Sequence, residues 1–173
     1  MNVDTLAHHL EKVDISGQDV QAIAGQPIKV VLYSNLGAYT ISSLLSPYGA
    51  AIILYQTTGK KVGHFTCMFR QGQGVHFFDP YGFAPDAELP FASFDQSVPR
   101  YLTQLLSNVQ YTYSSHDYQG KRGGVNTCGR WVGTRLRTRS IFSPSEFQAL
   151  FTAVPQPTDY YVSLMTLLFT LQK

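Results

Sequence analysis

Four side chains suited to nucleophilic chemistry stand in the order His64, Asp79, Gln119, Cys128. A cysteine attacks a carbonyl as its thiolate, so it needs a base. A histidine serves as that base when a third group fixes its tautomer. Asp79 is expected to accept the Nδ1–H of His64 and leave Nε2 as the base. A side-chain amide such as that of Gln119 can donate to the oxyanion of a tetrahedral intermediate. Each residue alone has a plainer reading: a satisfied structural histidine, a turn aspartate before Pro80, a loop glutamine, a core thiol. The four together, each at the end of an element, carry more weight than any one.

The chain has two cysteines, and their settings differ. Cys128 lies in VNTCGRWVGTRLR, where Asn126 is a good N-cap and places the cysteine in the first helical turn. A helix start offers unpaired N–H groups and a partial positive charge, both of which favour a thiolate. Flanking glycines leave room for a substrate backbone. Yet Cys128 shares a stripe with Trp131 and Val132, so nucleophile and core thiol weigh evenly on this string alone. Cys67 falls within a strand pattern, an odd step from His64, and so faces the other side of the sheet.

The elements that must position these residues follow from periodicity. Residues 5–13 and 16–24 read as helices, the second with Ser16 and Asp19 as a capping box. Strands are expected at 27–34, at 50–56 as a central strand, at 62–70, at 75–79 and at 111–115, with a turn at 57–61. Helices are expected at 99–109, 127–139, 144–153 and 159–172. The loop at 71–74 joins two strands with an even number of residues. That register puts His64 and Asp79 on one face as diagonal neighbours. Among the other histidines, His76 alternates away from Asp79, and His8 and His9 lie on the first helix. His116, in the loop near Gln119, remains a rival base. The sum is an α+β fold: a mixed, mostly antiparallel central sheet flanked by helices.

Composition narrows the class. A chain of 173 residues suits one domain, and 44% hydrophobic against 14% charged residues excludes a disordered chain. The net charge of +2 does not by itself imply a nucleic-acid binder. Six of the thirteen basic residues lie in 121–139, with no acid among them. A solvated helix face explains such a run by default, and Arg130, Arg135, Arg137 and Arg139 are the candidates for a nucleic-acid contact. Two cysteines cannot build a disulfide framework, and residues 1–20 lack the apolar stretch of a signal peptide, so a reducing compartment rather than secretion is expected. The apolar run 160–171 is too short to span a membrane and reads as a buried terminal helix.

The strings AAIILYQ, GHFTCMF, VHFFDPYGFAPDAEL, YLTQLL and YQ before NTCGRWVGTRLR follow one another over most of the chain. In that order the sequence resembles the adenain-like cysteine peptidases, the clan of adenovirus maturation protease and the SUMO/ubiquitin-like-protein peptidases. It is most similar to the capsid-maturation proteases of virophages and polinton-like viruses. Those carry a Gly-His-aromatic strand, a Phe-Phe-Asp-x-Tyr-Gly strand end, a Gln, and a Thr-Cys-Gly-Arg helix start. The resemblance implies one papain-like/adenain-like peptidase domain over 1–173. It implies His64 as base, Asp79 as its orienting acid, Cys128 as nucleophile and Gln119 as oxyanion donor. Gly63, Phe65, Thr127 and Gly129 would line the substrate cleft. Phe65 stands where Trp is usual, and the Gln119–Cys128 spacing is longer than in adenovirus protease. No metal or cofactor is required. The implied substrate is a viral capsid or other structural precursor, met in the virion or infected cell. A deubiquitinase or deSUMOylase of the same clan, an acetyltransferase, and a non-catalytic basic binding module stand as alternatives.

Overall fold

The computed structural model describes residues 2–56, 63–91, 98–121 and 123–171. The expected turn at 57–61, the strand start at Val62 and the helix end at Gln172 lie outside them, as does Arg122 of the basic run. In chain order the elements are helices α1 (Val3–Leu10) and α2 (Gly17–Ala24), strand β1 (Lys29–Leu32), a 3-10 turn (Tyr33–Ala38), α3 (Ile41–Leu45), β2 (Ala50–Gln56), β3 (Gly63–Gln71), β4 (Gly74–Phe78), α4 (Tyr101–Leu106), β5 (Tyr111–Tyr113), α5 (Cys128–Thr138), α6 (Pro144–Thr152) and α7 (Thr158–Leu171). The fold class is α+β, as expected. The chain divides into two compact units, Ile28–Ser115 and Met1–Pro27 with His116–Lys173.

The Ile28–Ser115 unit holds a five-stranded sheet in the order β1-β2-β3-β4-β5. The central pairs, β2 with β3 and β3 with β4, are antiparallel, and both edge strands pair in parallel. β2 reads AAIILYQ because it is buried on both faces, a position that polar alternation would not tolerate. The β3–β4 register pairs Arg70 with Val75, as the even loop requires. Gln71 and Gly74 pair as well, so the turn is two residues, with Gly72 left-handed at φ 56°. Closing one extra pair leaves every side chain on its predicted face. Ala51, Ile53, Tyr55, Met68 and Phe77 share one face and form a core with Leu36, Leu44, Leu102 and Leu106. Each fully buried Leu, Ile, Met or Phe among them contributes roughly 1.5–3 kcal/mol of burial free energy. β1 ends at Leu32, short of the expected 34, because residues 33–38 wind into the 3-10 turn.

The other unit is helical. α2 starts where the sequence says: Ser16 Oγ accepts the Asp19 N–H at 3.2 Å, and Asp19 Oδ2 accepts the Ser16 N–H at 2.8 Å. α5 packs against α2 through Gly129 and Gly133. A Cβ at Gly133 would sit 2.6 Å from Ile23 Cγ2 and 3.2 Å from the Val20 carbonyl oxygen, and one at Gly129 would sit 2.8 Å from Ile15. Trp131 fills the core between Tyr118, at 5.3 Å between ring centroids, and Phe151, at 4.6 Å. α6 starts at a second capping box, between Ser143 and Glu146. No described helix is long and apolar enough to cross a membrane.

Candidate active site

In the sheet unit, β3 and the end of β4 bring His64 to Asp79. His64 Nε2 donates to Asp79 Oδ1 at 2.9 Å, with both residues buried. The pairing on one face agrees with the strand register. The ring nitrogen does not: Asp79 engages Nε2 rather than the expected Nδ1. The chain turns sharply after Asp79, with the Gly82 N–H on the Asp79 carbonyl at 2.9 Å and Gly82 at φ 73°. The turn delivers the Tyr81 N–H to the same Oδ1 at 2.8 Å. It also stacks the Tyr81 ring on the His64 imidazole, with centroids 4.8 Å apart and planes 19° from parallel. Imidazole orientation is therefore set from two sides, by a hydrogen bond and by a ring face.

Sequence reasoning missed a third member of this cluster. Glu88, in the loop after the turn, is 7% exposed. His64, Asp79 and Glu88 each offer a ligand atom, and the three atoms lie within 4.8 Å of one another. Burial raises the Glu88 carboxyl, His64 pulls it down, and Asp79 raises it again by charge and hydrogen bond, for a result of about 7. The loop is held by Asp86, which adopts φ 65°. Its Oδ1 accepts the Tyr33 hydroxyl at 2.6 Å and the Leu102 N–H at 3.2 Å. Its Oδ2 accepts the Thr103 N–H at 2.7 Å and the Thr103 hydroxyl at 2.6 Å. Asp86 thus caps α4 from outside the helix and fixes the loop that carries Glu88. No periodicity marks Glu88, and its acidity within FAPDAELP is shared with Asp86.

Gly63 opens β3, and a Cβ there would meet the Tyr55 carbonyl oxygen at 2.5 Å. Phe65 is buried on the face opposite His64, together with Cys67.

In the helical unit, Cys128 is the first residue of α5 and partly exposed, whereas Cys67 is wholly buried. The cap differs from expectation. Thr127, not Asn126, occupies the N-cap, and its side chain makes no capping bond. Asn126 instead gives its N–H to the Glu11 carbonyl at 2.7 Å and its amide to the Lys12 carbonyl at 3.3 Å. The Thr127 hydroxyl, expected at the substrate cleft from the resemblance, is buried and donates to Asp159 Oδ1. Gly129 faces Ile15 and Val20, so close helix packing accounts for its missing side chain.

Asp159 is the second residue that sequence reasoning passed over, having read it only as the start of a terminal helix. It is fully buried, and its Oδ1 also accepts the Trp131 indole N–H at 3.1 Å. Its Oδ2 accepts the Gly120 N–H at 2.8 Å. The neighbouring Thr158 hydroxyl donates to the Tyr118 carbonyl at 2.7 Å. The start of α7 therefore fastens the 118–120 loop and the start of α5 to one carboxylate. Gln119 lies between these anchors, 3% exposed, with Nε2 donating to the Val125 carbonyl at 3.3 Å and a buried Oε1 that has no donor. A cavity of about 480 Å³ lies against Gln119, Gly120, Gln156 and Asp159.

The arginines of α5 do not form the solvated face expected of them. Arg135 is 1% exposed, lies over the Phe147 ring at 4.9 Å and donates to the Phe142 carbonyl at 3.3 Å. Arg130 is buried, and donates to the Leu10 carbonyl at 3.3 Å and Thr166 Oγ1 at 3.0 Å. Arg137 donates to the Ile23 carbonyl at 3.2 Å and lies over Phe169, and Arg139 reaches Gln26 at 2.7 Å. Their charges meet backbone carbonyls and aromatic faces within the helical unit.

The fold and sites thus define an α+β protein with a buried histidine–carboxylate cluster on one unit and a helix-start cysteine on the other. No protein-family model matches the chain. The chain is 34% identical over 143 residues to the uncharacterized protein V9 of Sputnik virophage, across 77% of this chain and 81% of that protein. The chain belongs to the family of this virophage protein, which places it in a viral setting.

Proposed function

We propose that the chain is a cysteine endopeptidase, with Cys128 as nucleophile, His64 as its base, Asp79 as the acid that orients the base, and Gln119 as an oxyanion donor. The observation that carries this reading is the buried 2.9 Å hydrogen bond from His64 Nε2 to Asp79 Oδ1 at a strand end. A histidine held in this way has its tautomer set, with Nδ1 as the nitrogen Asp79 does not engage. The partly exposed Cys128 at the start of α5 supports the reading from the other unit.

The reaction is then acyl transfer. The Cys128 thiolate adds to a peptide carbonyl while the Gln119 amide and the Cys128 backbone N–H hold the oxyanion. The imidazolium of His64 protonates the leaving amine, and His64 then takes a proton from water as it hydrolyses the thioester. The virophage relationship, with the motif resemblance, favours a capsid or other structural precursor as substrate, met in the virion and infected cell.

The test pairs Cys128→Ala with Cys67→Ala in the full chain, read by cleavage of capsid-derived peptides and by labelling with a thiol electrophile. Loss of both in Cys128→Ala alone is the expected result. Activity retained in Cys128→Ala rejects the proposal. Cleavage restricted to ubiquitin or SUMO precursors moves the substrate from capsid protein to a ubiquitin-like partner while keeping the chemistry.

A further inference from the structure

We infer that Glu88 is a positioning residue for the base: its carboxyl shares one proton with that of Asp79, so the pair presents a single negative charge to His64 and keeps Asp79 Oδ1 on Nε2. The catalytic part of this inference rests on the peptidase reading, whereas the shared proton does not.

The argument starts from oxygens that lack donors. With both carboxylates ionised, Asp79 Oδ2 and Glu88 Oε2 are buried acceptors with no hydrogen-bond partner. Two like charges at such range in a dry site repel, and each orphaned oxygen carries its full desolvation cost. One proton removes both problems, because it turns an acceptor into a donor and halves the charge. Asp79 Oδ1 cannot relieve the strain, since His64 Nε2 at 2.9 Å and the Tyr81 N–H at 2.8 Å already occupy it. The division of labour is then clear: Oδ1 holds the imidazole, and Oδ2 meets Glu88.

The surroundings agree. Besides His64 on β3 and Asp79 after β4, Tyr55 on β2 is a described ionisable group that interacts electrostatically with Glu88. Its phenol is pushed well above the usual range, by burial first and then by Asp86, Tyr33, Asp79 and Glu88. Tyr55 therefore stays neutral and adds no charge that would stabilise a second carboxylate. Glu88 itself, raised to about 7, holds its proton over the acid range. The four hydrogen bonds to Asp86 anchor the loop two residues before Glu88, and Glu88 itself is 7% exposed. A divalent cation is the other way to satisfy three such ligands, but it would have to displace the existing Nε2–H···Oδ1 bond.

Above about pH 7 the shared proton leaves, and a second negative charge faces the imidazole. The hold on His64 then changes in a way that a purely structural glutamate would not produce.

The experiment uses the full chain with ¹³C-labelled carboxyl groups, as wild type, Glu88→Gln and Glu88→Ala. Carboxyl NMR of the wild type is expected to show a glutamate titrating near 7 that is absent from Glu88→Gln. A Glu88 signal titrating in the ordinary carboxylate range overturns the proposal. In the second arm, alkylation of Cys128 by iodoacetamide and peptide cleavage are followed against pH. Glu88→Gln keeps a donor but has no proton to lose, and is expected to abolish the step near pH 7. Glu88→Ala is expected to fall about tenfold below Glu88→Gln. A step that persists in Glu88→Gln, or equal losses in the two variants, overturns the positioning role. So does Zn²⁺ added alone at pH 8 raising the melting temperature of the wild type but not of Glu88→Gln. The NMR arm needs no turnover. A titration near 7 beside cleavage that survives Cys128→Ala would therefore reject the peptidase reading and leave the shared proton standing.

Discussion

A histidine offers two nitrogens, and which one a carboxylate takes determines what the other can do. Here Asp79 takes Nε2, so the peptidase reading assigns the thiol proton to Nδ1. Asp79→Asn preserves the shape but can present its amide N–H₂ to Nε2 and invert the tautomer. It is expected to lower kcat by about 10²–10⁴-fold with little change in fold, as read by steady-state cleavage and circular dichroism. Cys128→Ala is expected to remove at least about 10³-fold of cleavage, whereas Cys67→Ala costs about 1 kcal/mol in urea unfolding and leaves cleavage in place. At this scale much was legible. Strand side chains alternate, so the parity of the hairpin loop alone placed His64 and Asp79 together and turned Cys67 away. The choice of nitrogen was not legible, because strand register fixes the face a side chain takes and not how its ring turns. Glu88 was hidden for a similar reason: a loop residue reaches its partners through the path of the loop, which no periodicity encodes.

At the scale of elements, α5 is held by what surrounds it more than by its own cap. Gly133 lets it approach α2, and Gly133→Ala would press a Cβ to within 2.6 Å of Ile23 and 3.2 Å of a backbone carbonyl. Neither neighbour is the loose end of a flexible chain. A loss of about 1–3 kcal/mol is expected in chemical denaturation. Asp159→Ala strips the acceptor from Thr127, Trp131 and Gly120 at once, leaving buried donors unpaired. About 3 kcal/mol or more of stability should go, with faster proteolysis of the 118–120 loop as a second readout. The capping box of α2 was readable because its partners are three residues apart. The seat of Cys128 was not, because its partners lie 32 residues away at Asp159 and over a hundred away at Glu11. The arginines misled for the same reason. A basic run reads as a wet face until the carbonyls and rings that meet it, from α1, α2, α6 and α7, are known.

At the scale of the molecule, stability should carry the signature of the raised glutamate. Folded, Glu88 keeps its proton to about 7, and unfolded it releases it near 4.5. The stability this proton confers is full below 4.5 and is lost as the pH rises through about 7. The melting temperature of the wild type relative to Glu88→Gln is expected to fall across that window and level off above it, as measured by calorimetry. The architecture also imposes an order of events. Residues 28–115 form one unit from a continuous stretch, and the helical unit is assembled from both ends of the sequence. Arg130, two residues into α5 from Cys128, bonds to the Leu10 carbonyl at one end of the chain and to Thr166 at the other. During synthesis the sheet, with His64 and Asp79, can be completed before α7 is translated. The seat of Cys128 closes only when α7 emerges, because Asp159 and Thr166 hold Thr127 and Arg130. On the peptidase reading, Cys128 gains its full set of neighbours only after α7 has joined the helical unit, so the order of synthesis sets when the thiol is in place.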